Sequence, residues 1–122
     1  MGVDYFFDSY ALVEIVKGNP SFIGYVNVPI FITIFNLVEV VNSVFLDYGE
    51  QKASETHERF KACVQEIDWK IIKEAIQLKQ KYKKRNVSYA DCIGYAFANQ
   101  HGLRFLTGDK EFRDLPNVEF VK

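Results

Sequence analysis

Four short apolar runs punctuate this chain, and each has an acidic residue at or near one end. VDYFF leads into Asp8, PIFITIF is followed by Glu39, CIGYAFA is opened by Asp91, and LRFLT precedes Asp109. If the runs belong to parallel strands and the helices that follow them, the acids gather along one edge of one sheet. In open α/β sheets that edge, outside the carboxyl ends of the strands, is where ligands bind. Four carboxylates there, most with no basic neighbour in sequence, point to a hard divalent cation.

The segments between the runs read as helices. Val3 to Phe7 is a buried strand, because only Asp4 interrupts its apolar character. Asp8 or Ser9 caps a short helix, SYALVEIVK, that stops at Gly18 before Asn19 and Pro20. Ile30 to Ile34 is a second strand, and Asn36 to Asp47 a helix. Glu50 to about Ala62 is polar and helical, with CVQEI a candidate short third strand. Asp68 caps an amphipathic helix reaching about Lys84. Ser88 to Gln100 is another helix, with Gly102 just beyond its end. Leu103 to Thr107 and Val118 to Val121 close the chain as strands. The expected fold is a three-layer α/β/α domain with a central, mostly parallel sheet of four to five strands.

Each acid also has a purely structural role open to it. Asp8 fits an N-cap. Asn36-Leu37-Val38-Glu39 and Ser88-Tyr89-Ala90-Asp91 both fit capping boxes, and Asp109 fits a cap of the turn KEFR. Capping explains each acid singly but not their common placement. On the helix after Ser88, Gly94, Tyr95 and Ala98 share the face of Asp91. The small ones among them are expected to leave room above the sheet edge.

Composition narrows the function. A chain of 122 residues, 48% apolar, forms one domain, residues 1–122, with a sizeable core. Aromatics reach 16%, with eleven Phe and seven Tyr, which predicts an aromatic-rich interface in addition to a core. The formal charge of -1 excludes a uniformly basic nucleic-acid binder. Cys63 and Cys92 form no CxxC pair and no secretory signal is visible, which fits a cytoplasmic, reduced protein. No run approaches the roughly 18 apolar residues of a membrane span. His57-Glu58-Arg59-Phe60-Lys61 is not a zinc HExxH helix, since Lys61 replaces the second His.

FFDSYAL, ITIFNLVEVV, SYADCIGYAFANQHGLRFLTGDKEF and the closing VEFV together resemble the PIN-domain superfamily, and within it the small VapC-type toxins. The pieces occur in the family's order and span nearly the whole chain. The resemblance implies a Mg2+ or Mn2+ site that hydrolyses RNA. Asp8, Glu39, Asp91 and Asp109 match its acidic positions, with Asp8, Asp91 and Asp109 as metal ligands and Glu39 as a ligand or the group that orients water. Ser9 and Thr107 match supporting hydroxyl positions, and Asn36 stands where threonine is usual. It also implies a toxin–antitoxin pair, a cognate antitoxin and a homodimer.

Two competing readings are a Mg2+-binding receiver-like signalling module and an inactive PIN-like module that binds RNA or protein. The first lacks the paired acids expected after its first strand, and the complete acidic set weighs against the second. The cluster Lys79, Lys81, Lys83, Lys84 and Arg85 is either a solvated helix end or an RNA-backbone contact carried by Lys83, Lys84 and Arg85. Tyr82 within it is a candidate base-stacking ring.

Overall fold

The computed structural model describes residues 2–122. Its organising element is β1 (Tyr5–Phe7), which lies between β2 (Ile30–Phe31) and β3 (Arg104–Thr107). β4 (Val118–Phe120) pairs with β3, giving the order β2-β1-β3-β4 with every pairing parallel. Tyr5, Phe6 and Phe7 align with Arg104, Phe105 and Leu106. Successive strand residues face opposite sides of a sheet, so Phe6 and Phe105 enter one core and Phe7 and Leu106 the other. Both sides are covered, which is why β1 is apolar without alternation.

The first core is roofed by α4 (Trp69–Lys81) and α5 (Tyr89–Gln100), through Ile71, Ala75, Ala96 and Phe97. The second is roofed by α1 (Ser9–Lys17), α2 (Ile34–Tyr48) and the end of α3 (Glu50–Phe60), through Leu12, Ile15, Leu37, Val40 and Phe60. The three-layer architecture expected from the sequence is therefore present.

Three boundaries differ from expectation. The second strand stops at Phe31 because Thr33 and Asn36 start α2 early. The Asn36 side-chain oxygen accepts from the Thr33 amide at 2.9 Å and from its hydroxyl at 3.0 Å. The capping box expected between Asn36 and Glu39 is thus displaced by three residues. CVQEI forms no strand; Val64 makes a single bridge to Ile32, leaving four strands. α4 ends at Lys81, and Lys83 and Lys84 lie in the turn beyond it. Asp68 caps α4 as expected, accepting from the Ile71 amide at 3.0 Å.

Candidate active site

Parallel pairing brings the carboxyl ends of β1 and β3 to one edge, where the chain turns into helices. Asp8 and Asp109 leave those strand ends directly, while Asp91 and Glu39 arrive on α5 and α2. All four line one open cleft of about 490 Å³, with Ser9, Tyr10, Lys79, Asn86, Val87 and Ser88. The four acids picked from the sequence are therefore together in space.

Capping and convergence prove compatible. Asp8 caps α1, its Oδ1 accepting from the Ala11 amide at 2.9 Å. Its Oδ2 accepts from the Thr107 hydroxyl at 2.5 Å, and the same hydroxyl oxygen accepts from the Asp109 amide at 3.0 Å. Thr107, fully buried, thus locks the first acid to the last. Asp109 Oδ1 accepts from the Glu111 amide at 3.0 Å, capping the 3-10 turn Lys110–Phe112. Asp91 Oδ2 accepts from the Ser88 amide at 2.9 Å, and Ser88 Oγ accepts from the Asp91 amide at 3.0 Å. Each cap fixes a rotamer and occupies one side of the carboxylate. Asp91 Oδ1, Asp109 Oδ2 and Glu39 Oε2 accept no hydrogen bond from the described residues.

Glu39 is exposed, and the Ser9 hydroxyl donates to its Oε1 at 2.5 Å. Asn36 Nδ2 donates to Ser9 Oγ at 3.2 Å. Asn36 therefore joins the start of α2 to the acidic site through Ser9, a role the sequence showed only as capping capacity.

The electrostatics of the cleft are unbalanced. Burial pushes the Asp8 carboxyl up from 3.8 to about 8. The bonds from Thr107 and Ala11 oppose that rise, while Asp91 and Asp109 add to it. Burial also raises Asp91; the Ser88 bonds hold it down and Asp109 and Glu39 push it further up. None of the four acids has a basic partner within 4.0 Å among the described residues. Uncompensated buried carboxylates are costly. No three His, Cys, Asp or Glu side chains among the described residues form a ready-made cage.

The small residues of α5 do not leave room at the site. A Cβ on Gly94 would lie 2.5 Å from Phe6 Cε1 and 3.3 Å from Phe105 Cε1, so the glycine lets α5 settle onto the sheet. Gly108 has the same function between Thr107 and Asp109. A Cβ there would sit 2.2 Å from Tyr10 Cε1 and 2.3 Å from the Val121 carbonyl oxygen.

The basic cluster divides. Arg85 forms a two-pronged pair with Asp114, at 2.8 and 3.0 Å, and donates to the Glu111 carbonyl at 2.8 Å. Its guanidinium is committed to holding the α4–α5 connection against the turn after β3. Tyr82 is half-buried, packs against the first core, and has Lys81 and Arg85 near its ring. Lys83 and Lys84 are exposed, with no carboxylate within 4.0 Å among the described residues. Lys79 alone of the cluster lines the acidic cleft.

The sequence matches the family model described as PIN domain over residues 5–118. The chain belongs to the PIN domain family. Solved structures with the same fold span its length. One is a toxin–antitoxin complex from Klebsiella pneumoniae, 22% identical, with a TM-score of 0.75 over 95% of this chain and 96% of that one. Another is VapC20 of Mycobacterium tuberculosis, titled a sarcin-ricin loop cleaving toxin, 15% identical with a TM-score of 0.78 over 98% and 100%. A third is VapBC2 of Rickettsia felis bound to a promoter DNA fragment, 17% identical with a TM-score of 0.73 over 98% and 100%. A search of curated proteins gives no match for this PIN domain. No helix among its described residues is long and apolar enough to cross a membrane.

Proposed function

We propose that this PIN domain is a Mg2+- or Mn2+-dependent endoribonuclease and the toxin of a toxin–antitoxin pair. The observation that carries this reading is Asp8, fully buried beside Asp91 and Asp109 with no basic partner. A bound divalent ion, held directly or through water by Asp8, Asp91 and Asp109, would acidify a bound water and clamp the phosphate.

The protein's own groups do the rest. Thr107 holds Asp8 in a fixed rotamer and, through the Asp109 amide, fixes the approach of the last acid. Ser9 occupies one oxygen of Glu39, leaving the other to accept a proton or orient the attacking water. The Thr107 hydroxyl is buried and tied to Asp8 and the Asp109 amide, and the Ser9 hydroxyl is tied to Glu39 and Asn36, so the reading assigns the attack to water rather than to either hydroxyl. The inactive-module reading is disfavoured, because a binding surface for RNA gains nothing from four unneutralised carboxylates.

The implied partners are an RNA substrate and an antitoxin, with no membrane, in the cytoplasm. A mostly apolar groove between α2 and α3, lined by Ile34, Leu37, Val38, Val41 and Phe45 together with Asn42 and His57, fits the apolar face of an antitoxin helix. It shares α2 with Glu39, so an occupant would lie beside the acidic cleft.

The test is hydrolysis of a mixed pool of single-stranded RNAs. Cleavage should require Mg2+ or Mn2+ and stop on chelation. Asp8→Asn, Asp91→Asn and Asp109→Asn should each reduce it by about a hundredfold or more, consistent with loss of metal-supported electrostatic stabilisation. Undiminished cleavage by all three variants, with unchanged circular dichroism, would sink the reading.

A further inference from the structure

We propose that Lys79 is the phosphate-contacting cation of the acidic cleft, an inference that rests on the ribonuclease reading above. Lys79 lies near the end of α4 and lines the same cleft as Asp8, Glu39, Asp91 and Asp109. Its Nζ donates to the Val87 carbonyl oxygen at 2.5 Å and lies 5.3 Å from the centre of the Tyr89 ring. An ammonium has three N–H donors, so two remain. They are not spent on the neighbouring acids, since no carboxylate lies within 4.0 Å of Nζ among the described residues.

That combination is unusual for a solvated helix end. Lys83 and Lys84, a turn later, are exposed, whereas Lys79 is half-buried and tethered at its tip. Lysine pays heavily in side-chain entropy when ordered, yet here it is ordered next to four acids without pairing to any. The Val87 carbonyl and the Tyr89 ring hold the charge at the cleft wall and leave the carboxylates free for a metal.

The charge balance supplies the need. Four carboxylates outweigh one divalent ion, and an RNA phosphate adds another negative charge. A fixed ammonium on the wall lowers the repulsion that the phosphate meets, and its two free donors suit non-bridging phosphate oxygens as a point charge. Val87 adjoins Ser88, whose amide and hydroxyl bond Asp91, so the same tether sets the distance between the phosphate contact and the central acid.

The competing role is purely positional: Lys79 could brace the 82–88 connection and so place Asp91, without touching RNA. Lys79→Met removes both charge and donor. Lys79→Gln keeps a donor for Val87 without the charge, and Lys79→Arg keeps the charge. Binding of a fluorescein-labelled single-stranded RNA is followed by anisotropy in Ca2+ across salt concentrations, and Mn2+ affinity is followed by electron paramagnetic resonance.

One lost phosphate contact on a single strand reduces the slope of log K against log salt by about 0.7, or about fourfold in affinity near 0.15 M salt. That loss is expected for Lys79→Met and Lys79→Gln alike, with the slope retained in Lys79→Arg and Mn2+ affinity unchanged in all three. An unchanged slope in Lys79→Met overturns the proposal. So does a fall in Mn2+ affinity that Lys79→Gln repairs, which would make Lys79 a brace for Asp91. Wild type that cleaves RNA while Lys79→Met keeps its slope removes only the Lys79 role. Wild type that neither binds nor cleaves RNA with Mg2+ removes the ribonuclease reading and Lys79 with it.

Discussion

Asp8 carries the sharpest consequence at the scale of single residues. Its folded pKa, near 8, lies above the unfolded value of 3.8 because burial disfavours the charged form. Between those values the folded, metal-free protein binds more protons than the unfolded chain. Stability in chelator should therefore fall as pH rises from about 4 to about 8, and the full penalty should remain above that window. The expected size is on the order of several kcal/mol. Thermal melts in chelator at several pH values check this. Asp8→Asn should flatten the trend, and saturating Mg2+ should flatten it in wild type by binding only the folded state. A melting temperature that rises with pH through this window in chelator would contradict the burial of an uncompensated Asp8.

Asp91 allows capping to be separated from charge, because both oxygens have assignable roles. Asn at this position can still accept from the Ser88 amide, whereas Ala cannot. The raised Asp91 pKa says that burial and neighbouring acids outweigh the favourable bonds from Ser88. Asp91→Asn should therefore be neutral or stabilising in chelator, and Asp91→Ala should be destabilising by about 1 kcal/mol through the lost cap. Equal destabilisation by both would leave Asp91 valued for its charge at the helix start. These acids were legible in the sequence because each stands at or near one end of an apolar run. Asn36 and Lys79 were not. The Thr33-to-Asn36 box begins inside PIFITIF, where an apolar run masks a helix start, and Lys79 stood within a cluster whose other members do not line the cleft.

At the scale of elements, α5 and the β3 exit depend on two glycines for different contacts. Gly94 admits the Phe6 and Phe105 rings, which can shift, whereas Gly108 faces the Val121 backbone oxygen, which cannot. Gly94→Ala gains about 1 kcal/mol of helix propensity against an overpacking cost of about 1–3 kcal/mol. Gly108→Ala has no helix gain to offset its clash. Denaturant titration should rank Gly108→Ala as the more destabilising, and the reverse order would refute the backbone-contact argument. Sequence periodicity located every α-helix because apolar spacing and the caps at Asp8, Asp68 and Ser88 are local signals. It misjudged CVQEI and the end of the second strand, since a strand exists only through its partners, and only Val64 reaches one.

At the scale of the whole molecule, the phenylalanines prove mostly internal. Seven of the eleven Phe are buried: Phe6, Phe7, Phe22, Phe60, Phe97, Phe105 and Phe112. Trp69 and Tyr89 are exposed on α4 and α5, but the largest group of exposed apolar side chains sits on one helix. Ile34, Phe35, Val38, Phe45, Leu46 and Tyr48 are all exposed, and all lie on α2. An apolar surface of that kind marks an interaction site. The sequence could count aromatics but not assign them, because burial depends on which helix face meets the sheet.

The homodimer that the family resemblance implies gives the last test. Light scattering at tens of micromolar should give twice the 14.2 kDa chain mass. Val38→Glu combined with Phe45→Glu places charge on the exposed α2 face without touching the buried Leu37, Val40 or Val44, so the fold should persist. If α2 joins two copies, the double variant should run as a monomer with an unchanged far-UV spectrum. If α2 instead serves the antitoxin, the variant should remain dimeric and fail only to bind an antitoxin-derived amphipathic peptide. A wild-type protein that is monomeric throughout the range would refute the dimer and leave the α2 face to the antitoxin.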